Sequence, residues 1–207
     1  MSGPGQRQAP GGGYATQFRD PEGRLIEVSA EVAEHVTETA RPFGLDRLSH
    51  IVLNSVDIPA SKDFYTGLLG FQISDCYEND QMVFLRCNNL HHCIALAPGR
   101  WTSVNHVAFE VASADEAMKA LGRLRKAGYD TIWVPGRHGP GGNVFCYFTD
   151  PVGNVIEYTA ELLEVDENWQ PHSWACTQEN ADVWGTSGGS TPEVIRAMSN
   201  PPMTRAE

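Results

Sequence analysis

With 207 residues, 41% of them hydrophobic, the chain can bury the core of one well-packed domain with additions, or at most of two small ones. A formal charge of -11 gives a surface that repels phosphate backbones and anionic lipid, which argues against nucleic acid and membrane surfaces as partners. The five cysteines, Cys76, Cys87, Cys93, Cys146 and Cys176, are odd in number and form no CxxC pair, so neither a disulfide framework nor a zinc knuckle is indicated. No apolar run approaches the ~20 residues of a membrane span, and no basic-then-apolar leader opens the sequence, so a cytoplasmic protein with reduced thiols is expected.

Residues 1–13, MSGPGQRQAPGGG, hold almost nothing to bury and read as a disordered lead, with structure beginning near Tyr14. Two segments are largely the same sequence: FRDPEGRLIEVSAE from Phe18 to Glu31, and FTDPVGNVIEYTAE from Phe148 to Glu161. Each has an Asp-Pro-x-Gly turn followed by a short β-type run, which predicts strand, turn, strand. A weaker repeat joins LSHIVLNSVD, Leu48 to Asp57, to VNHVAFEVAS, Val104 to Ser113, both strands with a histidine third in line. After the first, Phe64, Tyr65, Leu68 and Leu69 fall at helical spacing over Ile58 to Leu69 before Gly70 ends the turn. After the second, Ser113 and Glu116 form a capping box, Met118, Leu121 and Leu124 share a helical face, and Gly128 stops it.

Further strands are predicted at Phe71 to Tyr77, Met82 to Cys87, Cys93 to Ala97, Thr131 to Val134, Val144 to Phe148 and Asn154 to Thr159. The pattern is one α+β domain, residues 48–165, built of paired βαβββ units at about 48–103 and 104–165 that form a curved sheet around a cavity. Residues 14–47 precede it, and a C-terminal extension, 166–207, carries Trp169, Trp174 and Trp184, with a short helix opened by Thr191 and Pro192. Three tryptophans are costly to leave in water, so the extension is expected to wrap over the domain.

His50 and His106 occupy matching positions of the repeat, and imidazole is the commonest metal ligand. Glu157 stands between Ile156 and Tyr158 in the last strand, where a carboxylate turned into the sheet would need a partner or a cation. If it pointed to solvent by strand alternation, that argument would lapse.

These residues resemble the vicinal-oxygen-chelate superfamily and, within it, the type I extradiol catechol dioxygenases, over roughly Leu48 to Trp184. The resemblance implies a metal triad of His50 in RLSHIVL, His106 in VNHVAFE and Glu157 in NVIEYTAE. It further implies that His92, the second histidine of HHCIAL, acts as acid and base beside bound oxygen. His138 in GRHGPGG and Tyr147 in FCYFTDP are similar to the pair around the substrate hydroxyls. The implied reaction is extradiol cleavage of an aromatic diol by O2 at Fe(II), with Mn(II) as the competing ion and a homo-oligomer as the expected assembly.

Other histidines carry no such signal: His91 reads as structural or exposed, and His35 and His172 as surface residues. Larger members of that family carry a metal-free first module, and FRDPEGRLIEVSAE looks like its closing strand pair with the rest missing. Glu27 occupies the place of Glu157 there, without histidine partners, and is read as non-metal. Two other functions compete on the same fold. A glyoxalase-like isomerase or thiol transferase typically uses four protein ligands, yet Ala95 stands where a fourth would sit. A drug-sequestering module needs an aromatic groove and no metal.

Overall fold

The computed structural model describes residues 2–34 and 44–200, so His35 lies outside the described residues. The chain divides into two compact units, Met1–Ala40 and Arg41–Glu207.

The first unit is a three-stranded antiparallel sheet of β1 (Ser2–Gln6), β2 (Tyr14–Arg19) and β3 (Leu25–Ala30), in that order. The β2–β3 turn is the Asp-Pro-x-Gly motif: Asp20 Oδ1 accepts from the backbone N–H groups of Glu22 and Arg24. The lead corrects the sequence expectation, because residues 2–6 form a strand rather than a disordered tail. Edge pairing to β2 needs only backbone donors and acceptors, and Gly11, Gly12 and Gly13 all take positive φ where the chain doubles back. Glu27 is exposed and accepts from Gln17 Nε2 and from the Arg7 guanidinium.

The second unit holds two βαβββ runs. The first is β4 (Leu45–Ser55), α1 (Ile58–Gly67), β5 (Gln72–Tyr77), β6 (Val83–Arg86) and β7 (Ile94–Pro98). The second is β8 (Ser103–Val111), α2 (Ala114–Lys126), β9 (Thr131–Arg137), β10 (Val144–Thr149) and β11 (Val155–Ala160). After them come β12 (His172–Trp174), α3 (Gln178–Ala181) and α4 (Pro192–Ser199). The strands make one open curved sheet in the order β12-β5-β6-β7-β4-β8-β11-β10-β9, so the halves mirror each other across the antiparallel β4–β8 seam.

Strand alternation divides the residues between two faces. Val144 and Cys146 of β10 pack with Ala117 and Leu121 of α2, while Phe145 and Tyr147 turn the other way, toward Trp133 and Val194. Helix α1 covers the first half through Ile58 and Tyr65, which pack on Val83, Leu85 and Leu96. Both helices thus occupy one face and leave the other for a cavity.

Helix α2 begins as its sequence predicts, with Ser113 Oγ accepting from Glu116 N at 3.2 Å. Its buried stripe, however, is Ala117, Ala120 and Leu121, and Met118 is 47% exposed. Alanines at one-turn spacing let the helix approach the sheet closely, which rotates Met118 outward.

The extension folds back on this unit. Strand β12 pairs in parallel with β5, and Trp169 Nε1 donates to Ser74 O at 2.8 Å. Val194 of α4 is buried against Trp133. Trp184 differs from the other two tryptophans, remaining 45% exposed beneath the Arg137 guanidinium. No helix among the described residues is long and apolar enough to cross a membrane.

Leu121→Ala should lower the unfolding free energy by about 2–5 kcal/mol in chemical denaturation, whereas Met118→Ala should stay within about 0.5 kcal/mol. Equal effects would contradict the orientation of α2.

Candidate metal centre

The sheet register sets the site. Tyr147 pairs with Glu157, Glu157 with Ala108 and Ala108 with His50, so one row of side chains crosses β10, β11, β8 and β4. His106 lies two residues before Ala108 on β8 and therefore shares its face. Ala108 is fully buried between His50 and Glu157, and its methyl leaves room for the longer side chains to converge over it. The symmetric position in the first half is Ala95, which pairs with Val52 as Glu157 pairs with Ala108.

The triad expected from sequence comes together here. One ligand-type atom from each of His50, His106 and Glu157 lies within 4.8 Å of the others. His50 Nε2 is 3.1 Å and His106 Nε2 3.2 Å from Glu157 Oε2, and all three residues are buried. Burial works to raise the Glu157 carboxyl, but the two imidazoles outweigh it and hold the group well below the usual carboxylate range. For His106, burial lowers the imidazole more than Glu157 raises it, which favours the neutral ring a metal ligand requires.

The donor set fits a divalent cation. His106 Nε2 is shielded from solvent and lacks a hydrogen bond of proper geometry, although Glu157 is near. Its other nitrogen, Nδ1, donates to Asn105 Oδ1 at 2.7 Å, and Asn105 Nδ2 donates to Asn54 Oδ1 at 2.9 Å. That chain orients the Asn105 amide and assigns the His106 proton to Nδ1, leaving the Nε2 lone pair directed at Glu157. His50 is held similarly, with Nδ1 3.2 Å from Ser49 Oγ. Glu157 Oε1 accepts from Asn143 Nδ2 at 3.1 Å, so one oxygen is anchored and the other faces the histidines. Such outer partners are what a metal-ligating histidine or carboxylate ordinarily has.

The remaining expected residues surround the triad. The His92 ring lies 4.4 Å from that of His50, and burial holds its pKa well below the usual histidine value. His138 Nδ1 donates to Ala181 O at 2.7 Å, so its Nε2 is left to accept from the Tyr147 hydroxyl at 2.9 Å. Burial, assisted by the Glu157 charge, raises Tyr147 well above the ordinary tyrosine value and keeps it protonated.

These groups open on a cavity of about 210 Å³, lined also by Tyr77, Met82, Phe84, Ala97, Trp133 and Met198. No lysine or arginine is among the described residues lining it. His91, read from sequence as structural or exposed, is completely buried, between Asp75 and His92. His172 is exposed, as expected. Asp75, Asn54, Asn105 and Asn143 carried no recognised signal, although a polar residue directly before each triad histidine, Ser49 and Asn105, could have provided one.

A fold of paired βαβββ units with ligand-type residues on both central strands and the last strand defines the class. The chain belongs to the Glyoxalase/Bleomycin resistance protein/Dioxygenase superfamily, whose sequence model matches residues 47–158. Among its relatives is Metapyrocatechase 2 of Cupriavidus necator, 32% identical over 67% of this chain and 44% of the relative. An iron-dependent extradiol dioxygenase of Rhodococcus jostii is 28% identical over 81% of this chain and 62% of its own length. The crystal structure of a Mn(II)-bound glyoxalase from Novosphingobium aromaticivorans superposes with a TM-score of 0.86 at 40% identity, covering 94% of this chain and 64% of that one. The chain thus spans less than two thirds of the length of each of these three proteins.

Asn143→Ala removes the donor to Glu157 Oε1 and to Thr159 Oγ1. It should cost the metal-free protein about 1–3 kcal/mol in denaturant titration, the usual penalty for an unsatisfied buried polar group. No loss would mean that Glu157 is not anchored there.

Proposed function

We propose that this domain carries out extradiol cleavage of a catechol-type ring by O2, at an Fe(II) held by His50, His106 and Glu157. The observation that carries the reading is the number of protein donors: two histidines and one carboxylate, with Ala95 at the position symmetric to Glu157. A two-histidine, one-carboxylate face leaves several coordination positions open, the pattern of non-heme iron oxygenases. Bound there, iron would supply Lewis acidity toward two vicinal oxygens together with the redox change that dioxygen chemistry needs.

The protein's own groups would handle protons and water. Because the Tyr147 hydroxyl donates to His138, its oxygen lone pairs are left to accept from a substrate hydroxyl, and His138 can take the proton that moves through it. His92, on the His50 side, is the second group able to hold or return a proton at the ring being cleaved. The apolar lining excludes water from the reacting atoms. It also selects substrate charge: a ring carboxylate would be buried without a cationic partner, so the fitting substrates are catechols with uncharged, apolar substituents.

A glyoxalase-type isomerase is the second reading, favoured by the name of the Novosphingobium structure and weighed down by the missing fourth ligand at Ala95. Mn(II) is the alternative ion for either reading, since borderline divalent ions compete for such donor sets.

Oxygen uptake by anaerobically iron-loaded protein should appear with catechol and with an aryl catechol, accompanied by a yellow ring-opened product. A carboxylated catechol should show kcat/KM at least about tenfold lower, a difference of about 1.4 kcal/mol. Iron-bound protein that consumes no oxygen but isomerises a thiol adduct of an α-ketoaldehyde would replace the proposal with the second reading.

A further inference from the structure

Behind His92 lies a buried chain of polar groups that neither the triad nor the cavity requires. Asp75, on β5, is almost fully shielded and receives three contacts from the extension and one from the loop before β7. The His172 backbone N–H donates to Oδ1 at 2.8 Å, Trp174 Nε1 donates to Oδ2 at 2.7 Å, and the exposed His172 ring approaches Oδ1 at 3.6 Å. His91 Nε2 lies 3.0 Å from Oδ2, somewhat off the line of an ideal hydrogen bond. On its other side, His91 Nδ1 is 2.9 Å from His92 Nδ1.

We propose that Asp75 and His91 are positioning residues that fix the tautomer of His92, presenting its Nε2 to the cavity as a lone pair. A carboxylate 3.0 Å from His91 Nε2 favours a proton on that nitrogen, which makes Nδ1 the acceptor of a neutral ring. Two Nδ1 atoms 2.9 Å apart must share one proton, and with His91 Nδ1 accepting, that proton belongs to His92 Nδ1. The nitrogen left to His92 on the cavity it lines is then Nε2, unprotonated, so His92 meets a substrate hydroxyl as an acceptor. In the competing arrangement a His91 imidazolium paired with Asp75 would donate to His92 Nδ1 and put the proton on His92 Nε2; against it, Asp75 is already met by the His172 backbone N–H and by Trp174 Nε1, one on each oxygen.

The packing holds both rings in place. Gly141 has φ +75, and a Cβ there would lie 3.1 Å from His91 Nδ1 and 3.2 Å from His92 Cε1, so a side chain in the loop after β9 would be strained and would press on both rings. Phe84 meets both rings from the other side, with centroids at 5.8 and 5.1 Å. The role assigned to His92 rests on the ring-cleavage reading; its tautomer does not.

The test is a long-range proton–nitrogen correlation spectrum of the metal-free full chain labelled with 15N-histidine at neutral pH. His92 is assigned by the signal lost in His92→Gln. The expected pattern for His92 is a protonated Nδ1 and a bare Nε2, changing to a protonated Nε2 in His91→Phe, which keeps ring volume but removes the acceptor. A protonated Nε2 in the unmodified chain overturns the proposal, and so does an unchanged pattern in folded His91→Phe. Should His91→Phe not fold, the unmodified chain's pattern alone decides. In iron-loaded protein His91→Phe should lower kcat about tenfold with KM within about twofold. If the unmodified chain consumed no oxygen yet showed the expected tautomer, ring cleavage would fail and the positioning assignment would stand.

Discussion

A carboxylate placed inside a β-sheet is the constraint around which this domain is arranged. Glu157 has no exposure to water and sits in the middle of β11, where an uncompensated charge would cost several kcal/mol. The surroundings answer that cost in part locally, with Asn143 on one oxygen, and in part by turning the other toward His50 and His106, where a cation would complete it. They do so only because the β4–β8 seam brings the two central strands together beside β11 and because Ala108 leaves space between them. The repeat gives the two histidines matching places, while the departure from the repeat, Ala95 opposite Glu157, makes the site one-sided.

The C-terminal extension is as much a part of the site as the sheet. Three separate polar paths run from it to the histidines. Ala181 O fixes the proton of His138. The carbonyls of Met198 and Ser199 accept from Asn54, whose oxygen orients Asn105 and through it His106. Trp174 and the His172 backbone hold Asp75, which faces His91 and so His92. Each path ends on Nδ1 of its histidine, and the partner of that nitrogen bears on what Nε2 can do.

Much of this was legible in the sequence where the signal was local. Gly70 and Gly128 adopt positive φ at the helix ends, Ser113 caps α2, and the repeated histidine strands are the two central strands. Glu157 stood out because a charge between Ile156 and Tyr158 conflicts with an apolar strand unless it has a use. What was not legible depends on distance along the chain or on backbone alone. Strand β1 pairs through main-chain groups, so its Gly- and Pro-rich sequence resembles disorder. Strand β12 has only three residues, too few for alternation to register. Asp75 and His91 are sixteen positions apart and meet only once β5 and the loop before β7 are folded, so neither residue signals the other.

A metal ion bound among them would explain why Glu157 and the two histidines are buried together. The most direct measurement is the metal content of the anaerobically Fe(II)-loaded, desalted chain, alongside Glu157→Ala shown to be folded by circular dichroism. The expected result is about one ion per chain for the unmodified protein and a loss of binding of at least about tenfold in the variant. Folded protein that retains no ion, or a variant that retains as much as the unmodified chain, would contradict it.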